Sequence, residues 1–134
     1  MIKLFTKKRK GFTLIELVVV IAILGILAAI AIPRLTSSKV TAEQSSVKAN
    51  LRTIESAIAI AQAQEGTGFV PTAGASSNLV PKYLAQWPTG PATGVTYAIK
   101  TETVATGQTL YRATVSGTVG GSTFTGAKLE ELGW

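Results

Sequence analysis

Glu16 is the side chain near the N-terminus that most needs a chemical explanation. It directly precedes Leu17 to Ile32, sixteen residues without a polar side chain. A charge at the centre of such a helix costs roughly 2.5–3.5 kcal/mol on insertion scales, less toward an end. Ahead of it stand the cations Lys7, Lys8, Arg9 and Lys10, followed by Gly11, Phe12, Thr13, Leu14 and Ile15. Lysines and arginines flanking an apolar segment stay on the cytoplasmic side. From Gly11 to Pro33 the sequence holds no lysine or arginine. A carboxylate in those surroundings is costly, which favours a partner for it.

Other chemistry has few parts to work with. The chain has no Cys, no His and no Asp. Disulfide staples are excluded, and the usual soft metal ligands and general base are missing. Hydrolase, oxidoreductase and zinc-site readings lose their ordinary groups. Ser45-Ser46-Val47-Lys48 fits the Ser-x-x-Lys of serine acylases, but the accompanying motifs are absent, and one of them requires Asp. A solvated helix face explains those residues better. Neither a catalytic residue, a metal nor a cofactor is expected.

The string from Lys10 through Gly11, Phe12, Thr13, Leu14 and Ile15 to Glu16 closely resembles the processing site of type IV prepilins and related pseudopilins. The resemblance covers about 22 residues and implies that a prepilin peptidase cuts between Gly11 and Phe12 and N-methylates Phe12. It makes Glu16 the fifth residue of the mature chain, where the family keeps its glutamate for assembly. It further implies a filament that is a homopolymer of this chain, an inner-membrane assembly machinery as partner, and membrane lipid around the subunit before assembly. The precursor's N-terminus is then cytoplasmic, its head lies outside, and the assembled filament is extracellular. Many pilins of diderm bacteria close a C-terminal loop with a disulfide, from which this cysteine-free chain departs.

The net charge of +6 belongs to the leader. Five of the thirteen basic residues precede Gly11, so cleavage leaves eight basic and seven acidic ones. DNA stays an open partner that this balance does not support, because phosphate binding needs clustered lysine and arginine.

Length sets the elements that must position Glu16. Leu17 to Ile32 spans about 24 Å as a helix, short of a ~30 Å hydrocarbon core, whereas starting at Phe12 gives about 31 Å. A span therefore draws Phe12 and Glu16 into or against the membrane. Beyond it, Val40, Val47, Leu51, Ile54, Ile58 and Ala61 fall on one stripe of a 3.6-residue period. Gly66 and Gly68 supply a stop. One helix from Phe12 to about Glu65 follows, near 80 Å if continuous.

After Gly66 the chain is rich in Gly, Ala, Ser and Thr and reads as loop as far as Asn78. Asn78 to Pro91 reads as a short helical turn and a proline-fixed crossing, with Tyr83 and Trp87 as packing residues. Val95, Tyr97 and Ile99 alternate with polar or small neighbours as one strand, and Leu110 to Val115 as a second, with Thr106-Gly107-Gln108 in the turn. A third short strand surrounds Thr123 to Thr125 after Gly120-Gly121, and residues 128–134 form a tail. Thr96, Thr101, Thr103, Thr109 and Thr114 are expected on a hydrophilic outer face.

The fold class is α+β: a long N-terminal helix whose second half packs under a three- or four-stranded antiparallel sheet. The expected organisation is a cleaved leader (1–11), an apolar span or filament core (12–33), an amphipathic half of the same helix (34–65), and a loop-plus-sheet head (66–134). Within the span, Gly25 and Pro33 mark a stretch expected to stay helical in a single subunit and to break and extend in a filament. Gly25-x-x-x-Ala29 fits a small-xxx-small helix contact, and Arg34 an interfacial anchor.

The leading function is a structural subunit, a major pilin, of a type IV pilus-like filament. The major pseudopilin of a type II secretion system is the nearest alternative. That family commonly carries an Asp-built calcium site, and here only Glu102, Glu130 and Glu131 lie toward the C-terminus. An ordinary signal peptide cut after Ala29-Ile30-Ala31, releasing a β-rich binding domain, stays open. So do a plain membrane anchor and a membrane enzyme using Glu and Lys.

Overall fold

The computed structural model describes residues 11–66 and 68–134; the basic leader lies outside the described residues. Contacts divide the chain into two compact units, one ending at Ser37 and the other Ser38–Trp134. The single long helix, α1 (Leu14–Glu65), contributes to both.

In the first unit the helix is apolar on every side, and its large side chains from Leu14 to Leu35 are exposed. The helix runs through both Gly25 and Pro33. Proline removes one backbone donor. Just beyond it, Thr36 Oγ1 donates to the Ile32 carbonyl at 3.1 Å, and Ser37 Oγ donates to the Pro33 carbonyl at 3.0 Å.

In the second unit the 3.6-residue stripe is the buried one. Val47, Leu51, Ile54, Ile58 and Ala61 are buried, joined by Ala57, while Val40 is half-buried. The helix ends at the first of the two glycines. Gly66 adopts φ +89°, and its N–H donates to the Gln62 carbonyl at 3.0 Å, the single-bond left-handed cap.

The sheet is antiparallel and three-stranded, in the order β1 (Thr96–Thr103), β2 (Thr109–Val119), β3 (Ser122–Lys128). Tyr97 pairs with Val115 and Ile99 with Ala113, which puts the expected apolar residues on one face. All three strands run longer than the alternation suggested. β2 continues to Val119 through a bulge between Val115 and Gly117, which breaks the period-two pattern in the sequence. Gly117 sits there at φ +122°, and a Cβ would meet the Gly94 carbonyl oxygen and the Val95 Cα.

Thr96, Thr101, Thr103 and Thr109 are exposed as expected, but Thr114 is not. Thr114 is 1% exposed. It lies on the central strand between Ala98 and Lys128, and its hydroxyl donates to the Ala98 carbonyl at 3.3 Å. A middle strand hides even its outer-face residues when both neighbours carry side chains over it.

Among its described residues the connection between helix and sheet contains no regular helix. The expected turn at residues 78–84 is one i→i−4 bond, from Tyr83 N–H to the Leu79 carbonyl at 2.8 Å, in a segment where Pro81 has no donor to continue it. Asn78 organises the loop instead: its Oδ1 accepts from Thr72 N–H at 2.9 Å, and its Nδ2 donates to the Val70 carbonyl at 2.8 Å. Leu79, Leu84 and Val95 enter the core, with Tyr83 and Trp87 packed against it. The tail folds back through a 3₁₀ turn (Leu129–Glu131), burying Leu132 and setting Trp134 edge-on to Phe124 with centroids 5.9 Å apart.

Candidate processing and assembly site

The first turn of α1 collects the residues singled out in the sequence. Thr13 is its N-cap: Leu17 N–H donates to the Thr13 carbonyl at 3.3 Å, the first bond of the helix. Glu16, three residues on, turns its carboxylate back. Thr13 N–H and Thr13 Oγ1 both donate to Glu16 Oε2, each at 2.8 Å. Glu16 N–H donates to Thr13 Oγ1 at 3.3 Å in return. This is a capping box, in which two backbone donors with no helical partner are satisfied reciprocally. The signal was present in the sequence as Thr-x-x-Glu ahead of an apolar run, and reading Glu16 only as a charge awaiting an amine missed it.

The other residues of this end are open. Phe12 is 88% exposed. Gly11 is exposed, and a Cβ built there meets nothing within 4 Å. Among the described residues nothing requires glycine at position 11. Phe12 nitrogen is in the peptide bond to Gly11, so the amine that would pair with Glu16 arises only on cleavage. Phe12, Ile15, Val19 and Val20 line a shallow apolar hollow that includes Glu16. Gly25 likewise has nothing within 4 Å of an added Cβ, and Arg34 is exposed.

Several charged groups of the second unit are tied up in structural pairs. Lys128 Nζ lies 2.9 Å from Glu102 and 3.9 Å from Glu131. Glu65 accepts from both Lys82 and the Tyr83 hydroxyl, and these partners hold its carboxyl below the usual range. Glu55 faces Arg112 at 4.0 Å. Burial nevertheless pushes its carboxyl above the usual range, Arg112 opposing the shift and Glu130 adding to it. The acylase-like motif does not assemble: Ser45 is exposed, while Lys48 places its ammonium 5.2 Å from the Trp134 ring centroid. Among the described residues no three Cys, His, Asp or Glu side chains group to hold a metal.

The model of the prokaryotic N-terminal methylation motif matches residues 6–32, the stretch that holds Gly11, Phe12, Thr13 and Glu16. This N-terminal match, with the relatives below, fits the pilin and pseudopilin superfamily. Over 53 residues it is 49% identical to the type IV major pilin protein PilA of Myxococcus xanthus, covering 40% of this chain and 24% of that one. Over 57 residues it is 51% identical to the type IV narrow pilus major component PilA5 of Thermus thermophilus, covering 42% and 49%. Over 52 residues it is 40% identical to the type II secretion system core protein G of Klebsiella pneumoniae, covering 39% and 37%. The matched stretches thus span from about a quarter to about half of the curated relatives. No solved structure matches the chain. A superfamily N-terminus on a helix that carries an antiparallel sheet is the α+β arrangement expected from the sequence.

Proposed function

We propose that this chain is a structural subunit, the major pilin, of a type IV pilus-like filament. The observation that carries the reading is a carboxylate, Glu16, set at the head of a wholly exposed apolar helix inside an N-terminal methylation motif. So much exposed apolar surface needs lipid or further copies of itself around it. Prepilin peptidase cuts between Gly11 and Phe12, removing the cationic tip that holds the precursor's N-terminus in the cytoplasm, and methylates the new amine. The inner-membrane assembly machinery then passes subunits from lipid into the growing polymer.

Cleavage leaves an ammonium on Phe12 and a carboxylate on Glu16. Each alone is disfavoured in apolar surroundings, and together they attract strongly. The amine of one subunit meeting Glu16 of its neighbour gives register and direction to helices otherwise held by non-directional contacts. The apolar helices form the filament centre and the heads its exterior. Nothing in this sequence of steps asks for catalysis by the chain itself.

The pseudopilin alternative draws support from the likeness to core protein G. Against it, Glu102 and Glu131 converge on the Lys128 ammonium, so a cation already sits where those carboxylates would have to gather around calcium.

Intact mass of the subunit in sheared filaments tests the reading. A chain of residues 12–134 bearing one extra methyl group is expected. A mass matching residues 32–134, or the full chain, rejects it.

A further inference from the structure

We infer that the free edge of β1 pairs antiparallel with β1 of a second copy of this chain, head to head, in one register centred on Thr101. The inference does not depend on the filament reading, because a two-fold contact closes on itself and adds to whatever contacts propagate a polymer. β1 and β3 are the outer strands of the sheet. The β3 edge is distorted: Gly126 sits at φ +61°, and its N–H donates to Ser116 Oγ at 2.8 Å. β1 pairs with β2 along its whole length without a register shift and holds no proline or glycine. A regular edge of that kind presents a row of unpaired backbone groups, a template for an added strand.

The hairpin shows which groups are free. Val104 N–H donates to the Gln108 carbonyl at 3.0 Å, so these two form a hydrogen-bonded pair at the turn. Such pairs alternate along an antiparallel ladder. Glu102, Lys100 and Ala98 therefore turn their backbone groups toward β2, and Thr103, Thr101 and Ile99 turn theirs outward. The Ala98 carbonyl also accepts from Thr114 Oγ1 at 3.3 Å, on the β2 side as this phase requires. Among the described residues no backbone bond from a loop reaches the N–H or carbonyl of Ile99, Thr101 or Thr103. The Trp87–Gly90 crossing shares a hollow with Thr96 and Tyr97 at the start of the strand, and Ile99 to Thr103 lie beyond it. Lys100, Thr101 and Thr103 are exposed, while Ile99 and Glu102 are half-buried.

Side-chain charge selects the register. Three antiparallel registers let the outward groups of two copies of β1 exchange bonds near mid-strand. One sets Lys100 against Lys100 of the second copy, and one sets Glu102 against Glu102 of the second copy; like charges directly opposite are destabilising. The third lies between them and sets Lys100 against Glu102 twice, in the pairs where facing side chains come closest. Thr101 then faces Thr101, Ile99 faces Thr103, and about six backbone bonds form, two at each exchanging pair. Both charges can serve. Lys100 Nζ donates to the Gly126 carbonyl at 3.2 Å and has no carboxylate within ion-pair reach among the described residues. An exposed lysine exchanges that neutral carbonyl for a carboxylate, the stronger partner. Glu102 Oε1 accepts from Lys128 Nζ at 2.9 Å, and an ionised carboxyl keeps further acceptor sites for a second ammonium.

The chain has no cysteine, so one introduced thiol reports one position. Full-length chain in detergent carries either Thr101→Cys or Thr96→Cys, and a short bis-maleimide reads pairing as covalent dimer. The inferred register brings the thiols at position 101 together and holds those at position 96 roughly 30 Å apart along the strands. Dimer yield is expected to be higher by about fivefold or more for Thr101→Cys than for Thr96→Cys. Added to Thr101→Cys, Lys100→Glu and Glu102→Lys each oppose like charges, and each is expected to cut the yield by about fivefold or more. An equimolar mixture of those two variants opposes unlike charges again and is expected to return the yield to within about twofold. Equal yields at positions 96 and 101 overturn the inference in favour of parallel stacking or chance collision. Full yield from either charge variant alone overturns the register. A mixture that stays low overturns it in favour of charges that act only within their own chain. Low yield from Thr101→Cys with both charges intact shows that β1 does not pair.

Discussion

Glu16 carries two demands that pull in opposite directions, and a substitution separates them. As a charge in an apolar helix it opposes insertion; in the filament proposed above it is the partner of a neighbour's amine and drives assembly. Glu16→Val removes the costly group, so the precursor inserts at least as well as wild type. It also removes the box, since valine neither accepts from Thr13 N–H nor from its hydroxyl. Filament yield is expected to fall at least tenfold while the membrane pool persists, read by shearing and by blotting of membranes. Normal filaments from a strain holding only Glu16→Val reject the pairing. The residues of this site were legible in the sequence because their chemistry is local: a glycine, a carboxylate and a cationic block keep their meaning without a fold. Thr13 was legible too, through its spacing to Glu16, yet its partner oxygen became definite only when the helix placed both side chains on one turn.

At the scale of elements, α1 contains one stretch whose geometry depends on what surrounds it. Glycine costs about 1 kcal/mol in a helix interior and proline about 3. In the single chain the helix runs through Gly25 and Pro33, and the hydroxyls of Thr36 and Ser37 donate to the carbonyls of Ile32 and Pro33. A lone subunit in lipid has no other partners for the backbone, so staying helical is its cheapest state. In a filament, neighbouring helices surround the stretch and packing decides. The expectation is that residues between Gly25 and Pro33 lose their helical bonds and extend by about 1.8 Å each, the difference between strand and helix rise. A filament reconstruction with unbroken helical bonds across this stretch counts against the idea and moves weight to the pseudopilin reading. The amphipathic half of α1 was readable from its period alone. The bulge at Val115–Gly117 and the extra length of β2 were not, because one inserted residue shifts the alternation that a strand is recognised by.

Across the second unit as a whole, the perturbed carboxyls predict how stability responds to pH. Glu55 is raised chiefly by burial. Its neutral form is the one the fold prefers, so the stability it contributes is present at low pH and is lost as pH rises through its folded pKa, above the ordinary glutamate value. Glu65 and Glu102 are lowered, chiefly by hydrogen bonds from Lys82 and Lys128. Their contribution is present above the ordinary value and is lost as pH falls through their folded pKa values; being exposed, they contribute little through screened charges. Two separate windows result. Thermal melts of the detergent-solubilised chain are expected to show Tm rising modestly as pH falls from neutrality toward the glutamate range, then falling in stronger acid. Glu55→Gln is expected to abolish the first change and leave the second. An unchanged rise in Glu55→Gln assigns it to another group.

The sequence by itself determined the N-terminal methylation motif, the apolar span, the buried stripe of the second helical half and the places of three strands. Each is written in short-range order: a motif of adjacent residues, or a period of two or 3.6. What only the tertiary structure decided involves partners far apart in the chain. Thr114 is buried because β2 became the middle strand. Lys128 neutralises Glu102 across the sheet, and Lys48 finds Trp134 instead of Ser45. Gly120 N–H donates to Glu43 at 3.2 Å, 77 residues away, fixing the β2–β3 turn against the helix. No period or motif encodes such meetings, because they depend on which faces the packed core has already used.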